Sequence, residues 1–95
     1  MEQYVIAMTL DDKIDVSSIS TLKVILDQLP IKASSQVLDA RNVTHIDSAT
    51  CQLFYAYSQH LITHNATLIF LSPSDKFTTV VQALGFDVYF NYASV

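Results

Sequence analysis

The segment that most constrains the fold covers residues 36–61, QVLDARNVTHIDSATCQLFYAYSQHL. It opens with a short apolar run, Val37-Leu38, which is typical of a strand buried on both faces. A polar turn follows, and Asp47-Ser48 stands directly before a long helical pattern. Such residues cap helices because a side-chain oxygen accepts a backbone N–H that otherwise lacks a partner. The segment therefore predicts a serine hydroxyl at the positive end of a helix, beside the carboxyl end of a buried strand, where open α/β sheets usually meet ligands and partners.

Apolar runs and helical spacing predict the remaining elements. The predicted strands cover residues 4–8, 36–40, 67–71 and 87–90. The predicted helices cover residues 19–29, 48–63 and 73–84. Residues 14–16 form either a brief strand or the approach to the first helix, and residues 91–95 are expected to form an unstructured tail. The alternation of strands and helices predicts an α/β fold with a mainly parallel sheet.

The third helix has clear signals at both ends. Ser72 is the expected N-cap, Pro73 fits the first helical position, and Asp75 stands where a capping-box acid would. Gly85, the one glycine of the chain, follows the helix at a position that favours positive φ. Asn65 is expected to end the second helix in the same left-handed conformation.

Length and composition exclude several classes of protein. The chain has 95 residues, which predicts a single domain over residues 1–95. Its formal net charge of −4 argues against binding to nucleic acid or to an anionic membrane surface. One cysteine permits no internal disulfide, and one glycine permits no glycine-rich phosphate loop. No cofactor is expected. The chain has no basic leader followed by an apolar run and no apolar stretch near the roughly 20 residues of a membrane helix, so we expect a cytoplasmic location.

Four short motifs, in the right order, resemble one protein family. Val37-Leu38-Asp39, followed after a six-residue bridge by Ile46-Asp47-Ser48-Ala49, resembles the central motif of STAS domains, which are anti-sigma-factor antagonist modules also found in sulfate transporters. Ile14-Asp15-Val16 resembles the start of the family's first helix. Residues 68–74 resemble its strand-to-helix step, and Leu84-Gly85-Phe86 resembles the end of its third helix.

The resemblance implies a small, mainly parallel sheet with helices packed on one side. In the antagonist members, a partner kinase that is also the anti-sigma factor phosphorylates the serine after the motif aspartate, and these positions correspond to Ser48 and Asp47. The resemblance thus implies a non-catalytic bacterial signal-transduction module that docks an anti-sigma or serine-kinase-like ATPase under control of phosphorylation at Ser48. The residues expected to contact the partner are His45, Asp47, Ser48, Ala49, Thr50 and Tyr55.

Other functions stay open at this point. Many members carry one or two glycines after the serine, where this chain has Ala49-Thr50-Cys51. A constitutive STAS subunit without a phosphate switch is therefore the main alternative, either in a bacterial lipid-transport ABC complex, resting on its ATPase subunit, or in a chemosensory cluster. A weak homodimer is compatible with both functions. An enzyme using Ser48 is a third class, but no acid–base–nucleophile set can be read from the sequence.

Histidine and cysteine side chains of the second helix have simpler interpretations. His60 and His64 are four residues apart and share a helix face, but no third metal ligand is evident, so we expect solvated or half-buried histidines and no metal site. Cys51 and His60 are separated by about 13 Å along the helix and by half a turn in phase, so they point apart. Cys51 is expected to be a small buried or edge residue. His45, in the loop before Asp47, either tunes the charge near Ser48 or is simply solvated.

Overall fold

Four parallel strands form the central sheet. In the computed structural model, which describes residues 4–94, the sheet order is β1 (Ile6–Thr9), β3 (Ser35–Asp39), β5 (Thr67–Leu71) and β6 (Asn91–Ala93). A second parallel pair joins β2 (Lys13–Ile14) to β4 (His45–Ile46). The helices are α1 (Ile19–Gln28), α2 (Ser48–Thr63), α3 (Asp75–Ala83) and a 3₁₀ helix at Asp87–Tyr89.

All three α-helices pack on one face of the sheet around Phe70. The register places Leu38 of β3 beside Phe70 of β5, and both side chains are fully buried. The Phe70 ring centroid lies 5.1 Å from that of Phe54 in α2 and 4.9 Å from that of Phe77 in α3. Leu26 of α1 belongs to the same buried cluster. The predicted α/β fold, with a mainly parallel sheet and helices on one side, is therefore confirmed.

The central strand β3 is as buried as its apolar sequence predicts. Val37 and Leu38 point to opposite faces of the sheet, and both are buried. The one polar side chain on the helix face, Gln36, is also buried, and its Nε2 donates to the Tyr57 hydroxyl at 3.1 Å. This pairing satisfies two polar groups that would be costly to bury alone.

The predicted start of α3 is wrong by two residues. Ser72 has a φ of 48° and its N–H donates to the carbonyl of Ala93 at 2.7 Å, so it lies at the end of the sheet rather than at the helix cap. Ser74 is the N-cap instead, and its Oγ accepts the N–H of Phe77 at 3.1 Å. Asp75 is therefore the first residue of α3, where a carboxylate complements the helix dipole.

The last elements also differ from the prediction. Residues 87–90, predicted as a strand, form the 3₁₀ helix Asp87–Tyr89 followed by the buried Phe90. The edge strand β6 lies in residues 91–93, part of the segment predicted as an unstructured tail, while Val95 lies outside the described residues. After α3 the chain reverses direction through the 3₁₀ helix. This reversal brings residues 91–93 alongside β5, where they pair with it as β6.

Both predicted left-handed positions are confirmed. Asn65 has a φ of 58° directly after α2, and Gly85 has a φ of 81° directly after α3. Residues 14–16 combine the two options that the sequence left open, because Ile14 ends β2 and Val16 belongs to the turn that approaches α1. The predicted first strand begins two residues later than expected, at Ile6.

Replacing Phe70 with alanine tests this description of the core. Phe70→Ala should lower the free energy of unfolding by about 3–5 kcal/mol, because the cavity would open between the sheet and two helices. Urea denaturation provides the measurement. Val24→Ala is the control, since Val24 is 55% exposed on α1 and its replacement should change stability by no more than about 0.5 kcal/mol. A loss below about 1 kcal/mol for Phe70→Ala would contradict the description.

Candidate functional site

The carboxylate of Asp47 caps α2 and also holds a distant loop. Its Oδ1 accepts the backbone N–H of Thr50 at 2.9 Å, which is the N-cap bond that the sequence predicts. Its Oδ2 accepts the N–H of Val16, in the loop between β2 and α1, also at 2.9 Å. A single side chain therefore fixes the first turn of α2 and the approach to α1 together.

Hydrogen bonds from the folded chain keep Asp47 ionised. Partial burial acts to raise the pKa of this carboxyl, but the bonds from the Thr50 N–H, the Thr50 hydroxyl and the Val16 N–H outweigh burial. His45 adds a smaller electrostatic contribution in the same direction. The pKa of Asp47 is therefore lowered from its ordinary value, and the residue carries a full negative charge at neutral pH.

The short β2–β4 pair brings the loop to this position. Lys13 pairs with His45, and Ile14 with the buried Ile46. The N–H groups of Thr44 and His45 both donate to the carbonyl of Asp12, at 2.7 and 3.0 Å. These bonds align the residues before Asp47 with the residues before Val16, so the Val16 N–H can reach the carboxylate.

Ser48 is the first residue of α2, and its side chain is exposed to solvent. Ala49 follows it in the first helical turn and is half-buried. The first N–H groups of a helix have no carbonyl one turn earlier to bond, and they point toward the helix end. The Ser48 hydroxyl therefore lies at the positive end of α2, beside the negative charge of Asp47.

The surroundings of His45 include a second carboxylate. Its Nε2 lies 4.0 Å from Oδ2 of Asp15, and its side chain is exposed. Hydrogen bonds from the Ser17 hydroxyl and the Ser17 N–H lower the pKa of Asp15. One imidazole and two carboxylates, those of His45, Asp15 and Asp47, thus cluster beside the first turn of α2.

Thr50 requires a correction, because it does not lie on the surface. Its side chain is 0% exposed. Its hydroxyl lies 2.8 Å from Asp47 Oδ1 and 3.2 Å from the carbonyl oxygen of Ile14, so its one hydrogen is shared between these acceptors. In this structure Thr50 is an internal link between α2 and β2 and cannot contact a partner directly.

Tyr55 lies two helical turns beyond Ser48 and is half-buried. Its ring packs edge-to-face against that of Tyr89 in the 3₁₀ helix, with 4.9 Å between centroids. Residues seven apart share one side of a helix and are separated by about 10 Å along its axis. Tyr55 therefore lies on the same side of α2 as Ser48, although not in the cluster around Asp47.

Sequence reasoning missed Val16 as part of the site. Its side chain is 66% exposed, and its N–H bonds the Asp47 carboxylate. The sequence carries no signal for this role, because the donor is a backbone N–H and its pairing with Asp47 depends on the β2–β4 contact. Val16 and the exposed Ser17 therefore extend the surface around Ser48.

Two histidines and the cysteine of α2 lie outside the cluster around Asp47. The His60 and His64 rings are 4.6 Å apart, but residues 4–94 contain no group of three or more His, Cys, Asp or Glu that could hold a metal ion. Cys51 is fully buried, and burial, with a smaller effect of Asp47, raises its pKa to about 11. The thiol is therefore protonated at neutral pH and is a weak nucleophile.

Comparison with protein families identifies the chain. The model of the STAS domain matches residues 2–94, which is essentially the entire sequence. The chain belongs to the STAS domain family. STAS domains are generally non-catalytic binding modules that mediate protein–protein interactions. No curated protein matches this STAS domain. Within its described residues, no helix is both long enough and apolar enough to cross a membrane.

Removing the Asp47 carboxylate from this STAS domain should destabilise it in a pH-dependent way. Asp47→Ala is expected to lower the free energy of unfolding at neutral pH by about 1–2 kcal/mol, since the helix cap and the bond to Val16 are both lost. Because the folded-state pKa of Asp47 is lowered, the stabilisation is present above the unfolded-state pKa and is lost as the pH falls through the folded-state value.

Urea denaturation of both proteins at several pH values checks this expectation. The difference between wild type and Asp47→Ala should shrink at pH values below about 4. Asp11→Ala, in an exposed turn, is the control and should have little effect at any pH. A difference that stays constant down to the acid limit would show that the Asp47 charge contributes nothing.

Proposed function

We propose that this STAS domain is an anti-sigma-factor-antagonist-like module that docks a kinase-like ATPase in the cytoplasm under control of phosphorylation at Ser48. The observation that carries the proposal is the position of this hydroxyl, exposed at the first residue of α2 and directly after the Asp47 cap. The family match supports a non-catalytic binding role, and the proposal adds the switch and the class of partner.

Phosphorylation would change the electrostatics of this helix end sharply. A phosphate adds about 1.5–2 negative charges at neutral pH. The helix dipole favours an anion there by about 0.3–1 kcal/mol, whereas the carboxylates of Asp47 and Asp15 oppose it. Because the helix dipole and the carboxylates act in opposite directions, the phosphate would change the stability of the fold little. Its main consequence would be the new negative charge on the surface that contacts the partner.

The proposed docking surface surrounds Ser48. His45, Asp47, Ser48 and Ala49 form its centre, with the exposed side of α2 and Tyr55 beyond them. The loop after β2 adds the exposed Val16, held beside Asp47 by its backbone hydrogen bond. An exposed apolar side chain next to a phosphate acceptor would give a kinase both an apolar contact and a hydroxyl in reach.

Phosphate transfer tests the proposal directly. The intact protein would be incubated with ATP and the purified kinase-like ATPase encoded nearest to its gene, and its mass measured. We expect a gain of one phosphate in the wild type and none in Ser48→Ala. Ser34→Ala is the matched control, because Ser34 is an exposed serine before β3, at the opposite end of the parallel sheet from Ser48, and this variant should still accept phosphate. Equal transfer to Ser48→Ala, or transfer to none of the proteins, would contradict the proposal.

A constitutive subunit without a switch is the second candidate, and one observation favours it. The exposed side of α2 carries no Asp, Glu, Lys or Arg, a composition typical of the centre of a protein interface. Such a face suits a lasting contact with the ATPase of a lipid-transport ABC complex or with a chemosensory assembly. Ser48→Asp separates the candidates, since a switch predicts at least a tenfold change in affinity for the ATPase, about 1.4 kcal/mol, and a constitutive subunit predicts none.

A further inference from the structure

A groove opens at the amino ends of β1 and β3, at the opposite end of the sheet from Ser48. We name it the amino-end groove. It encloses about 240 Å³ between these two strands and the end of α1. Most of its lining is apolar and comes from Val5, Ile6, Ala7, Leu29, Pro30 and Ala33. The polar side chains of the lining belong to Lys32, Ser35 and Gln36.

The most buried polar residue of the groove is Gln36, which is 4% exposed. Its Nε2 donates to the carbonyl of Pro30 at 3.4 Å and to the hydroxyl of Tyr57 at 3.1 Å. These two bonds use both amide hydrogens, and they fix the direction of the amide because its oxygen would repel the Pro30 carbonyl. The side chain is therefore held in one orientation by α2 and by the segment that follows α1.

The amide oxygen of Gln36 is left open. Oε1 accepts no hydrogen bond from residues 4–94. Every fully buried side-chain nitrogen or oxygen in that range has a partner, so Oε1 must keep some contact with solvent, and the amino-end groove is the opening that Gln36 lines. Such an acceptor favours a ligand with an N–H or O–H donor, because an apolar ligand would displace its water and leave the oxygen unpaired.

Lys32 gives the groove a positive charge. Among the described lining residues it is the only one with a formal charge, and it is exposed to solvent. It forms no ion pair with another residue of the part that the structure describes. An unpaired ammonium group beside an apolar groove favours a ligand that places an acidic group on the solvent side.

We infer that the amino-end groove binds a small organic acid whose apolar body carries an N–H or O–H donor. The body would lie against the apolar lining, the donor would bond Gln36 Oε1, and the acidic group would pair with Lys32. The groove is smaller than the roughly 300–1,000 Å³ of sites for drug-sized ligands, so its ligand is a small molecule. One such molecule satisfies both polar groups, and no larger partner is needed.

An NMR titration of the intact chain tests this inference. Indole-3-acetate is a suitable probe, because it combines an apolar ring, a ring N–H and a carboxylate. The amides of Ala7, Ala33 and Gln36 should shift and reach saturation at millimolar concentrations of the probe. Naphthalene-1-acetate has a similar size and the same charge but no ring donor. It should bind at least tenfold more weakly, because Oε1 would then stay unpaired.

Replacing the lysine tests the other polar contact. Lys32→Gln should weaken the binding of indole-3-acetate about threefold, since one solvent-screened ion pair is lost. The same substitution should leave the binding of uncharged indole unchanged. Lys76→Gln is the matched control, because it removes the same charge from an exposed position on α3 and should have no effect on either ligand.

Three results would each overturn the inference: no saturable shift at the amino-end groove, equal affinity for the two acids, or equal effects of the two lysine substitutions. The titration involves neither ATP nor a partner protein, and the groove lies at the opposite end of the sheet from Ser48. Its failure would therefore leave the proposed role of Ser48 unaffected.

Discussion

The carboxylate of Asp47 connects two parts of the chain that lie 31 residues apart in sequence. One oxygen holds the first turn of α2, and the other holds the loop that leads into α1. Because the hydrogen bonds outweigh the cost of partial burial, the group stays charged while serving both elements. The orientation of Ser48 and the position of Val16 relative to it both depend on this one side chain.

The sequence predicted the centre of the fold well, because several signals agree there. The strand at 36–40, the Asp47 cap and the helix after it are each long or chemically specific, and tertiary contacts reinforce them. At the carboxyl end of the chain, the local secondary-structure preference conflicts with the conformation that the tertiary fold requires. Residues 87–90 have β-forming side chains, but the chain must turn there before β6 can pair with β5. Ser72 adopts a left-handed conformation for which a serine gives no local signal.

The candidate site also combines features that the sequence predicts with features that it does not. The exposure of Ser48 follows from helix capping, which involves only neighbouring residues. The burial of Thr50 does not, because it results from a hydrogen bond to the carbonyl of Ile14, 36 residues away. The bond from the Val16 N–H to Asp47 involves a backbone group, so no residue type at position 16 could have signalled it. Long-range backbone partners are the part of such a site that sequence patterns do not contain.

The distribution of charge distinguishes the first turn of α2 from the rest of the helix. Asp15, Asp47 and His45 gather at the first turn of α2, whereas the remainder of the same side of the helix is uncharged. Ser48 lies at the boundary. In the proposed switch, a phosphate would therefore extend the acidic end of the helix into a face whose composition otherwise favours contact without charge. Docking of a kinase-like partner would then respond to this modification.

Amide hydrogen exchange at Val16 tests the central claim, that one carboxylate holds the loop and the helix end together. The exchange rate would be compared by NMR in the wild type and in Asp47→Ala, with the amides of β5 as an internal reference for global opening. The account predicts that the Val16 and Thr50 amides both exchange at least about tenfold faster in the variant, beyond any change in β5. An unchanged rate at Val16, with only Thr50 affected, would contradict it, because Asp47 would then be a helix cap and nothing more.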